Sequence, residues 1–328
     1  MALLENERIN LIAAADSNEE NLCRWKEYTK KHNKQKDFPL IFSSSDELYK
    51  NVTCLDIITV AVNEENHLEE CLKAIEYKPK LVILEKPVAL NSIEAEKIRE
   101  KAEYCKVPVM VNHERRFSKD YLMAVSLMKE IGDIQSVFGE LDSGLRIYGE
   151  EFEKDGTYSL LHDGTHLVDI IQFLLASVEL KEGADVKSVP LLQNPTVTGI
   201  FKDEKGLVRN FVANYQSVVS SFGKIPDVTI KMSGRSKFFE FRIEILGTLG
   251  KIIIGNGIFE FYKREESKLY TGFYSLSKQK IKIPKKTGYF TGMIQNAVDF
   301  LDGKSEMLSP LSEAISDLKV LEEIKSAF

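Results

Sequence analysis

A lysine that could act on a ligand follows the apolar run Leu81–Leu84, in the order Glu85-Lys86-Pro87. Four consecutive apolar residues are typical of a strand buried on both faces, and ligands of open α/β sheets bind at the edge where such strands end. Pro87 cannot continue a central strand, and it favours an extended backbone at Lys86. The pattern predicts a lysine held at the rim of a sheet, with an ordinary surface Glu-Lys pair as an equally good interpretation.

Two more polar residues follow predicted strands. Asp16 comes directly after Ile9–Ala15, and an acidic residue at that place in a dinucleotide-binding fold accepts hydrogen bonds from ribose hydroxyls. Its carboxylate would repel a 2′-phosphate, which favours NAD over NADP, although taken alone Asp16 is better explained as the start of a turn or a helix cap. Asn63 ends the strand predicted over Leu55–Val62, where it could contact a cofactor or close a turn.

Two of the chain's five histidines lie on one predicted helix, Ser159–Leu175. His162, His166 and Asp169 are spaced i, i+4 and i+7, so they share one face of a helix that is otherwise apolar. One histidine could serve as a general acid or base. His-x3-His also suits zinc, but no cysteine is near, and Asp169 or another residue would have to be the third ligand. A buried histidine with satisfied hydrogen bonds is the third interpretation.

The elements that would position these residues alternate between strand and helix up to residue 112, which is typical of βαβ units and a parallel sheet. The predicted strands are Ile9–Ala15, Ile41-Phe42, Leu55–Val62, Leu81–Leu84 and Val109–Val111. The predicted helices are Glu19–His32 with Asn18 as its cap, a short one capped within Ser43–Asp46, Glu65–Tyr77 burying Leu68, Leu72 and Ile75, and one from Asn91 to Cys105.

After residue 112 the pattern changes to long β segments, so we predict a first domain over residues 1–112 and a second over 113–328. The predicted helices of the second domain are Lys119–Ile131, Ser159–Leu175, Tyr289–Leu301 and Ser309–Ser326. The predicted strands are Ile134–Leu141, Thr196–Phe201, Val208–Ser217, Val228–Met232, Phe238–Ile245, Lys251–Ile254, Phe259–Tyr262 and Gln279–Ile283. Turn signals between the later strands favour a largely antiparallel sheet.

The composition is that of an ordinary globular protein. The 328 residues are 43% hydrophobic and 29% charged with a net charge of -6, which gives no reason to expect nucleic acid or an anionic membrane as a partner. The four cysteines lack CxxC spacing, so we expect buried thiols in a reduced, cytoplasmic protein. We find no apolar run long enough to span a membrane and no signal-peptide pattern.

Together these residues resemble the glucose-fructose oxidoreductase / inositol dehydrogenase family of NAD(P)-dependent dehydrogenases. The matches follow the family's order over nearly the whole chain. They are Asp16, Asn63–His67, Glu85-Lys86-Pro87, Val111–Phe117, Gly164–Asp169, Phe241–Lys251 and Ser309–Ser326.

The resemblance implies a Rossmann-like α/β domain followed by an α+β domain whose large, mostly antiparallel open sheet makes a homodimer or homotetramer. It implies hydride transfer between NAD, less readily NADP, and a hydroxyl or carbonyl of a sugar, polyol or related small molecule, without a metal. Lys86 matches the lysine that binds the reacting oxygen, and His166 matches the histidine that gives or takes the proton. The implied cofactor contacts are Asp16, Asn63, His67, Glu85 and Lys86.

The chain departs from the family at the residue four positions before the histidine, where many relatives carry an aspartate. Here that residue is His162, and Asp163 follows it. Either His162 has taken over part of the proton relay, or Asp163 orients His166 from a different angle.

A larger departure lies at the N-terminus. The family opens with a strand and a Gly-x-Gly-x-x-Gly turn, whereas this chain begins inside the helix that follows them, and its first glycine is Gly132. The missing strand would be central, between the Asp16 strand and Leu55–Val62, and the missing turn would hold the pyrophosphate. A start site assigned too far downstream, a shortened chain and a genuine variant are the alternatives, and we favour truncation. The rival functions are a non-catalytic sensor or scaffold and a zinc hydrolase built on His162 and His166.

We therefore expect this chain to bind NAD weakly or not at all, because no residue before Gly132 can form the glycine-rich turn. The measurement is a titration of the purified chain with NAD. A dissociation constant in the usual micromolar range would contradict the expectation.

Overall fold

The computed structural model describes residues 2–33, 37–143, 158–176, 191–283 and 288–328. Its helices are α1 (Ala2–Glu5), α2 (Glu19–His32), α3 (Ser45–Asn51), α4 (His67–Glu76), α5 (Ser92–Cys105), α6 (Lys119–Leu127), α7 (Tyr158–Ala176), α8 (Tyr289–Leu301) and α9 (Leu311–Lys325). Its strands are β1 (Ala13–Ala15), β2 (Leu40–Phe42), β3 (Ile57–Val60), β4 (Leu81–Leu84), β5 (Val109–Val111), β6 (Ile134–Asp142), β7 (Thr196–Lys202), β8 (Val208–Ser220), β9 (Gly223–Ser233), β10 (Glu240–Gly247), β11 (Gly250–Gly255), β12 (Ile258–Glu266) and β13 (Tyr274–Lys278).

The chain divides into two compact units, neither of which is one continuous segment. The first unit comprises Met1–Ala89, Ile93–Phe117 and Thr287–Leu311. The second comprises Leu90–Ser92, Ser118–Lys286 and Ser312–Phe328. The predicted boundary between residues 112 and 113 lies just before the end of the first unit's middle segment. The prediction also placed residues 287–311 in the second domain, whereas here they are grouped with the first unit.

The first unit is the Rossmann-like part, and all its paired strands run parallel. β1 pairs with β2 in one sheet, and β3, β4 and β5 pair in that order in another. Within the described residues, no strand connects β1 with β3. The predicted parallel pairing is therefore confirmed, but the described strands form two separate sheets.

Local sequence explains where several helices of the first unit begin. The side chain of Asn18 accepts hydrogen bonds from the backbone N–H groups of Glu20 and Asn21, and α2 begins at the next residue as predicted. The hydroxyl of Ser44 accepts from the N–H of Glu47 and caps α3 in the same way.

The buried face of α4 differs from the predicted one. Residues 64–66 form a 3₁₀ turn, the α-helix starts only at His67, and Leu68 and Leu72 are half-buried. The buried residues are His67, Cys71, Ala74 and Ile75. The small side chains of Cys71 and Ala74 allow α4 to lie close against β3 and β4. The prediction chose the large apolar residues as the buried face and so overlooked these two small ones.

The core of the first unit is built around β4, which is buried on both faces as predicted. Leu81 and Ile83 from β4 pack with Met110 from β5. Phe117 and the α8 residues Met293, Ile294 and Ala297 cover them. This packing explains why α8 belongs with the first unit although it lies near the end of the chain.

The second unit is built on an eight-stranded sheet in the order β13-β12-β11-β10-β6-β9-β8-β7. Only the β6–β9 pair is parallel, so the predicted mostly antiparallel sheet is confirmed. One face carries the apolar core, and the opposite face carries ion pairs such as Lys231 with Glu140 and Lys251 with Glu244. The expectation that this sheet joins copies of the chain stays a prediction.

The prediction of the last strand was wrong. The strand lies at Tyr274–Lys278 rather than at Gln279–Ile283. A turn over residues 267–273 closes the hairpin with β12, and pairing runs from Glu266 opposite Tyr274 to Tyr262 opposite Lys278. The position of the turn sets the register of the hairpin, and the paired segment therefore ends at Lys278, before Gln279.

The structure bears on two expectations drawn from the sequence as a whole, namely buried thiols and the lack of a membrane-spanning segment. All four cysteines are free thiols, but only Cys71 is buried, while Cys23 and Cys54 are exposed. The expectation of buried thiols therefore holds for Cys71 alone. None of the described helices combines the length and the apolar character that a membrane crossing requires.

Gly139 allows the helix with the histidines to pack directly on the sheet. A Cβ atom at Gly139 of β6 would lie 2.5 Å from Ile171 Cδ1 and 3.2 Å from Leu167 Cδ1, both on α7. The first distance is shorter than real Cβ contacts, so with any larger residue at this position the Ile171 side chain or α7 itself has to move.

We predict that Gly139→Ala lowers the free energy of unfolding by about 1–3 kcal/mol, because Ile171 must leave its packed position. Ile171→Val removes the Cδ1 atom that would clash, so the double variant should be more stable than the sum of the two single changes predicts. Denaturant unfolding of the four proteins measures this. Additive losses would show that α7 does not depend on Gly139.

Candidate active site

The carboxyl ends of β3, β4 and β5 form one edge of the sheet in the first unit. The register places Val60, Leu84 and Val111, the last residues of these strands, side by side. The chain leaves this edge through Asn63 after β3, Glu85-Lys86 after β4 and Asn112 after β5. The structure therefore brings the predicted residues Asn63, Glu85 and Lys86 to the same edge, as the strand-end argument requires.

His67 holds two of these strand ends together. Its ring is buried, with 1% of the residue exposed, and Nδ1 and Nε2 hydrogen-bond the carbonyl oxygens of Pro87 (2.6 Å) and Val62 (3.1 Å). The Lys86–Pro87 peptide bond is cis. Because both ring nitrogens are committed to backbone carbonyls, His67 acts on the position of Lys86 and does not offer a ligand a free polar edge.

Asn112 fixes the other neighbour of Lys86. The buried Asn112 side chain donates a hydrogen bond from Nδ2 to Glu85 Oε1 at 2.6 Å, and its backbone N–H donates to the carbonyl of Leu84 at 2.7 Å. The remaining oxygen, Asn112 Oδ1, is buried and has no hydrogen-bond donor among the described residues. Such an atom usually has a partner, so it is an acceptor suited to a ligand at this edge.

Charges of both signs surround Lys86, which is itself half-buried. Burial raises the pKa of the nearby Glu114 carboxyl above its ordinary value. The positive charges of Arg115, His113 and Lys86 oppose that rise, so Lys86 lies within electrostatic reach of Glu114. The charge of Lys86 therefore acts on the Glu114 carboxyl at this edge of the sheet.

Asp16 lies at the end of β1, in the other small sheet. Its Oδ1 accepts from the backbone N–H of Asn18 at 2.8 Å, and its Oδ2 accepts from Nδ2 of Asn21 at 3.2 Å. Asp16 therefore supports the start of α2, which is the structural interpretation given above. A carboxylate has about four acceptor positions, so these two bonds leave capacity for ligand hydroxyls.

The second unit carries the other predicted residues on α7. His162, Asp163 and His166 are half-buried, and Asp169 is buried. His162 is four residues and Asp163 three residues before His166, so both lie within reach of it on the helix, and the roles left open by the sequence stay open. Neither histidine belongs to a group of three metal-ligand side chains within the described residues, which leaves the zinc interpretation without a third ligand.

Buried polar contacts with α9 anchor the same helix. Gln172 of α7 donates from Nε2 to Asp317 Oδ1 at 2.6 Å and to Ser316 Oγ at 3.3 Å. Its Oε1 accepts from the backbone N–H of Leu191 at 2.9 Å. These bonds fix the rotation of α7 about its axis, and therefore the direction in which His166 projects.

Sequence reasoning gave no role to Asn112, although it lies within the Val111–Phe117 match, and it missed the Gln172–Asp317 contact. Asn112 follows a predicted strand just as Glu85 does, so the strand-end argument would have found it had it been applied to β5. Gln172 and Asp317 are 145 residues apart, and no pattern in either segment points to the other.

Comparison with known proteins gives a match for the first part of the chain. A family model described as an oxidoreductase family with an NAD-binding Rossmann fold matches residues 2–113. A search of curated proteins found no match.

Solved structures resemble the chain over almost its full length. A Desulfitobacterium hafniense protein, described as a candidate NADPH-dependent oxidoreductase, has a TM-score of 0.78 at 14% identity, over 99% of this chain and 90% of that one. An Agrobacterium radiobacter oxidoreductase, solved with NAD+, L-tartaric acid and magnesium, has a TM-score of 0.72 at 14% identity, over 100% and 92%. WlbA dehydrogenase of Bordetella pertussis, solved with NADH and UDP-GlcNAcA, has a TM-score of 0.67 at 15% identity, over 98% and 90%. The TM-scores show that these proteins share the fold of this chain, and at such low identities the comparison shows the fold alone.

We predict that His67→Ala lowers the free energy of unfolding by about 2–4 kcal/mol, because it removes the ring that contacts the carbonyls of Pro87 and Val62 and opens a cavity. Asn63→Ala is the control, since Asn63 is exposed and should change stability by less than about 0.5 kcal/mol. Urea unfolding curves measure both. Equal, small effects would show that His67 does not hold this edge.

Proposed function

We propose that the chain is an oxidoreductase of the Gfo/Idh/MocA family, whose NAD-binding Rossmann model matches residues 2–113, and that it transfers a hydride between a nicotinamide cofactor and a hydroxyl or carbonyl of a small molecule. The observation that carries the proposal is Lys86 at the carboxyl edge of the parallel sheet. His67 hydrogen-bonds the backbone carbonyl of Pro87 after this lysine, and Asn112 hydrogen-bonds the side chain of Glu85 before it. A surface Glu-Lys pair would not need two buried side chains from other elements to hold it.

The residues of the first unit fit a dinucleotide in part. Asp16 has spare acceptor capacity for ribose hydroxyls, and Asn112 Oδ1 is a buried acceptor at the edge that carries Lys86. No glycine occurs before Gly132, so residues 1–131 contain no glycine-rich turn for the pyrophosphate. We propose NAD rather than NADP because the Asp16 carboxylate would repel a 2′-phosphate.

When bound, the nicotinamide would supply the hydride acceptor or donor. The ammonium group of Lys86 would hold the reacting oxygen and stabilise negative charge that develops there. The imidazole of His166 would take or give the proton of that oxygen. Asp163 or His162, its neighbours on α7, would orient the ring. These roles rest on the family resemblance together with the positions of the residues on β4 and α7.

We propose a sugar, polyol or related hydroxyl compound as the substrate. The support is indirect: among proteins of the same fold, WlbA dehydrogenase was solved with a sugar nucleotide and the Agrobacterium radiobacter protein with tartaric acid. Both of these ligands carry secondary hydroxyl groups. A non-catalytic sensor is the alternative, and the Gln172–Asp317 anchor and the Lys86 frame speak against it, since a sensor has no need of a fixed cation beside the strand end.

We predict that Lys86→Ala lowers kcat by about 10²–10³-fold and His166→Ala by about 10²–10⁴-fold, because each removes a group that stabilises charge or moves a proton at the reacting oxygen. The assay follows NADH absorbance with a panel of polyols and sugar acids. It uses a chain extended at its N-terminus by a strand and a glycine-rich turn.

Lys97→Ala is the matched control for loss of a lysine, because Lys97 lies on α5, away from the carboxyl edge, and should leave kcat unchanged. Full turnover by the Lys86→Ala protein would overturn the proposed role. Absence of turnover in the extended wild-type chain with every compound would favour the sensor.

A further inference from the structure

We propose that β13, which lies at one edge of the eight-stranded sheet, binds an extended acidic polypeptide segment as an additional strand. The acidic residues of this partner would lie against the lysines that follow β13. Its apolar residues would lie against exposed side chains in and beside the turn between β12 and β13. The inference depends only on the second unit, so it stands or falls separately from the proposed catalytic function.

The outer edge of β13 offers backbone groups that β12 does not use. The N–H of Gln279, directly after β13, donates to the carbonyl of Phe261 of β12, so the odd-numbered residues of β13 face β12. Because backbone groups alternate in direction along a strand, those of Tyr274, Leu276 and Lys278 point away from the sheet. Within the described residues, β12 is the only strand that pairs with β13. The outer edge is therefore a row of donors and acceptors to which another strand can pair.

The two edges of this sheet differ in regularity. At the opposite edge, the pairing of β7 with β8 shifts in register between Thr198 and Phe201. Bulges and other irregularities of this kind protect a sheet edge against strand addition. In contrast, β13 pairs with β12 without a shift from Tyr274 to Lys278. The regular edge is the one that an incoming strand can follow.

Large apolar side chains are exposed in and beside the turn that precedes β13. Leu269, Tyr270, Phe273 and Tyr274 are between 55% and 83% exposed, and Leu276 is 45% exposed. The rings of Tyr270 and Phe273 contact each other edge to face, with centroids 6.2 Å apart. Turns usually consist of small and polar residues. Five large apolar side chains within eight residues form an exposed patch of the kind that marks an interaction surface.

The charge of the same segment indicates an acidic partner. Residues 267–286 include six lysines and neither aspartate nor glutamate, although the chain as a whole has a net charge of -6. Lys278 pairs with Glu260 at 2.5 Å. Lys280 and Lys282 are exposed and form no ion pair among the described residues. A carboxylate beside them would therefore meet cations whose charge is not already neutralised.

Antiparallel addition fixes the order of residues in the partner. The lysines Lys280 and Lys282 follow β13, whereas the apolar patch lies at its start and in the turn before it. An antiparallel partner runs in the opposite direction, so its acidic residues precede its apolar residues. Alternate side chains of a strand point to opposite faces, so every second residue of the partner lies beside Tyr274, Leu276 or Lys278. The expected partner is an extended segment whose alternate residues change from acidic to apolar.

The arrangement favours a polypeptide over an anionic membrane, which also attracts lysines and aromatic side chains. A turn that inserts into a membrane needs cations around its tip, and Lys268 is the only lysine within residues 267–273. The other lysines follow the strand away from the turn. A lipid surface has no backbone groups to pair with the outer edge of β13, whereas an extended peptide supplies both donors and acceptors.

The test is residue-resolved amide hydrogen exchange of the full chain with a synthetic peptide. The peptide is acetylated and amidated and has two glutamates, a valine and a phenylalanine, in that order, separated by single threonines. We expect the amides of Tyr274, Leu276 and Lys278 to exchange at least about tenfold more slowly with the peptide, because each gains a hydrogen bond. The amides of Ser275 and Ser277, which already face β12, should change much less.

Two control peptides separate strand pairing from other binding. In one, the backbone nitrogens of the second glutamate, the valine and the phenylalanine are methylated, which removes the donors of one edge and keeps the side chains. In the other, lysines replace both glutamates. We expect neither peptide to slow the exchange of the three outward amides.

Substitutions in the chain test the charge complementarity. Lys280→Glu together with Lys282→Glu should weaken binding of the fluorescein-labelled peptide at least about tenfold, measured by fluorescence anisotropy. Lys224→Glu together with Lys237→Glu is the matched control. Both of these lysines are exposed and lie outside the β12–β13 hairpin, and the pair changes the net charge by the same amount. The control should bind as the unaltered chain does.

Five results would overturn the proposal. They are unchanged exchange at all three outward amides, equal slowing by a control peptide, and equal affinity of the two double variants. The fourth is equal slowing by phosphatidylserine vesicles, which would make a membrane the partner. The fifth is slowing that depends only on the protein concentration, which would make a second copy of the chain the partner.

Discussion

The packing of His67 beneath the strand ends is the constraint on which the site of the first unit depends. A buried imidazole joins the carbonyl after β3 to the carbonyl after Lys86, and Asn112 joins Glu85 to the end of β5. Three segments that leave the sheet separately are thereby fixed relative to one another. A flexible lysine becomes a positioned cation because its neighbours, and not its own side chain, are held.

The second unit positions its histidines by a different means. Its sheet is apolar on one face, and the absence of a Cβ atom at Gly139 leaves room for Ile171 and Leu167 of α7 to pack directly on that face. Gln172 and Asp317 then set the rotation of the helix. Close packing fixes the height of α7 above the sheet, and buried hydrogen bonds fix its orientation. The two units therefore reach the same result, a fixed polar side chain, with different balances of packing and hydrogen bonding.

The described parallel strands of the first unit form two separate sheets. Ligands of such folds bind where the strands end, beside the point at which the strand order reverses. Here a pocket lined by residues of β1 and β3 lies between the two sheets, and no described strand pairs with both. Asp16, at the end of β1, belongs to a piece of sheet that backbone hydrogen bonds do not connect to the edge with Lys86.

The sequence alone determined the features that near neighbours control. The run Leu81–Leu84 predicted β4, Asn18 predicted the start of α2, and apolar spacing predicted α8 over Tyr289–Leu301, because strand burial, capping and helical periodicity act within a few residues. Only the tertiary structure decided that His67 is buried, that Asn112 holds Glu85, that α8 joins the first unit and that Gln172 meets Asp317. These features depend on residues far apart in the chain, and what surrounds a polar side chain is set by packing that no local pattern encodes.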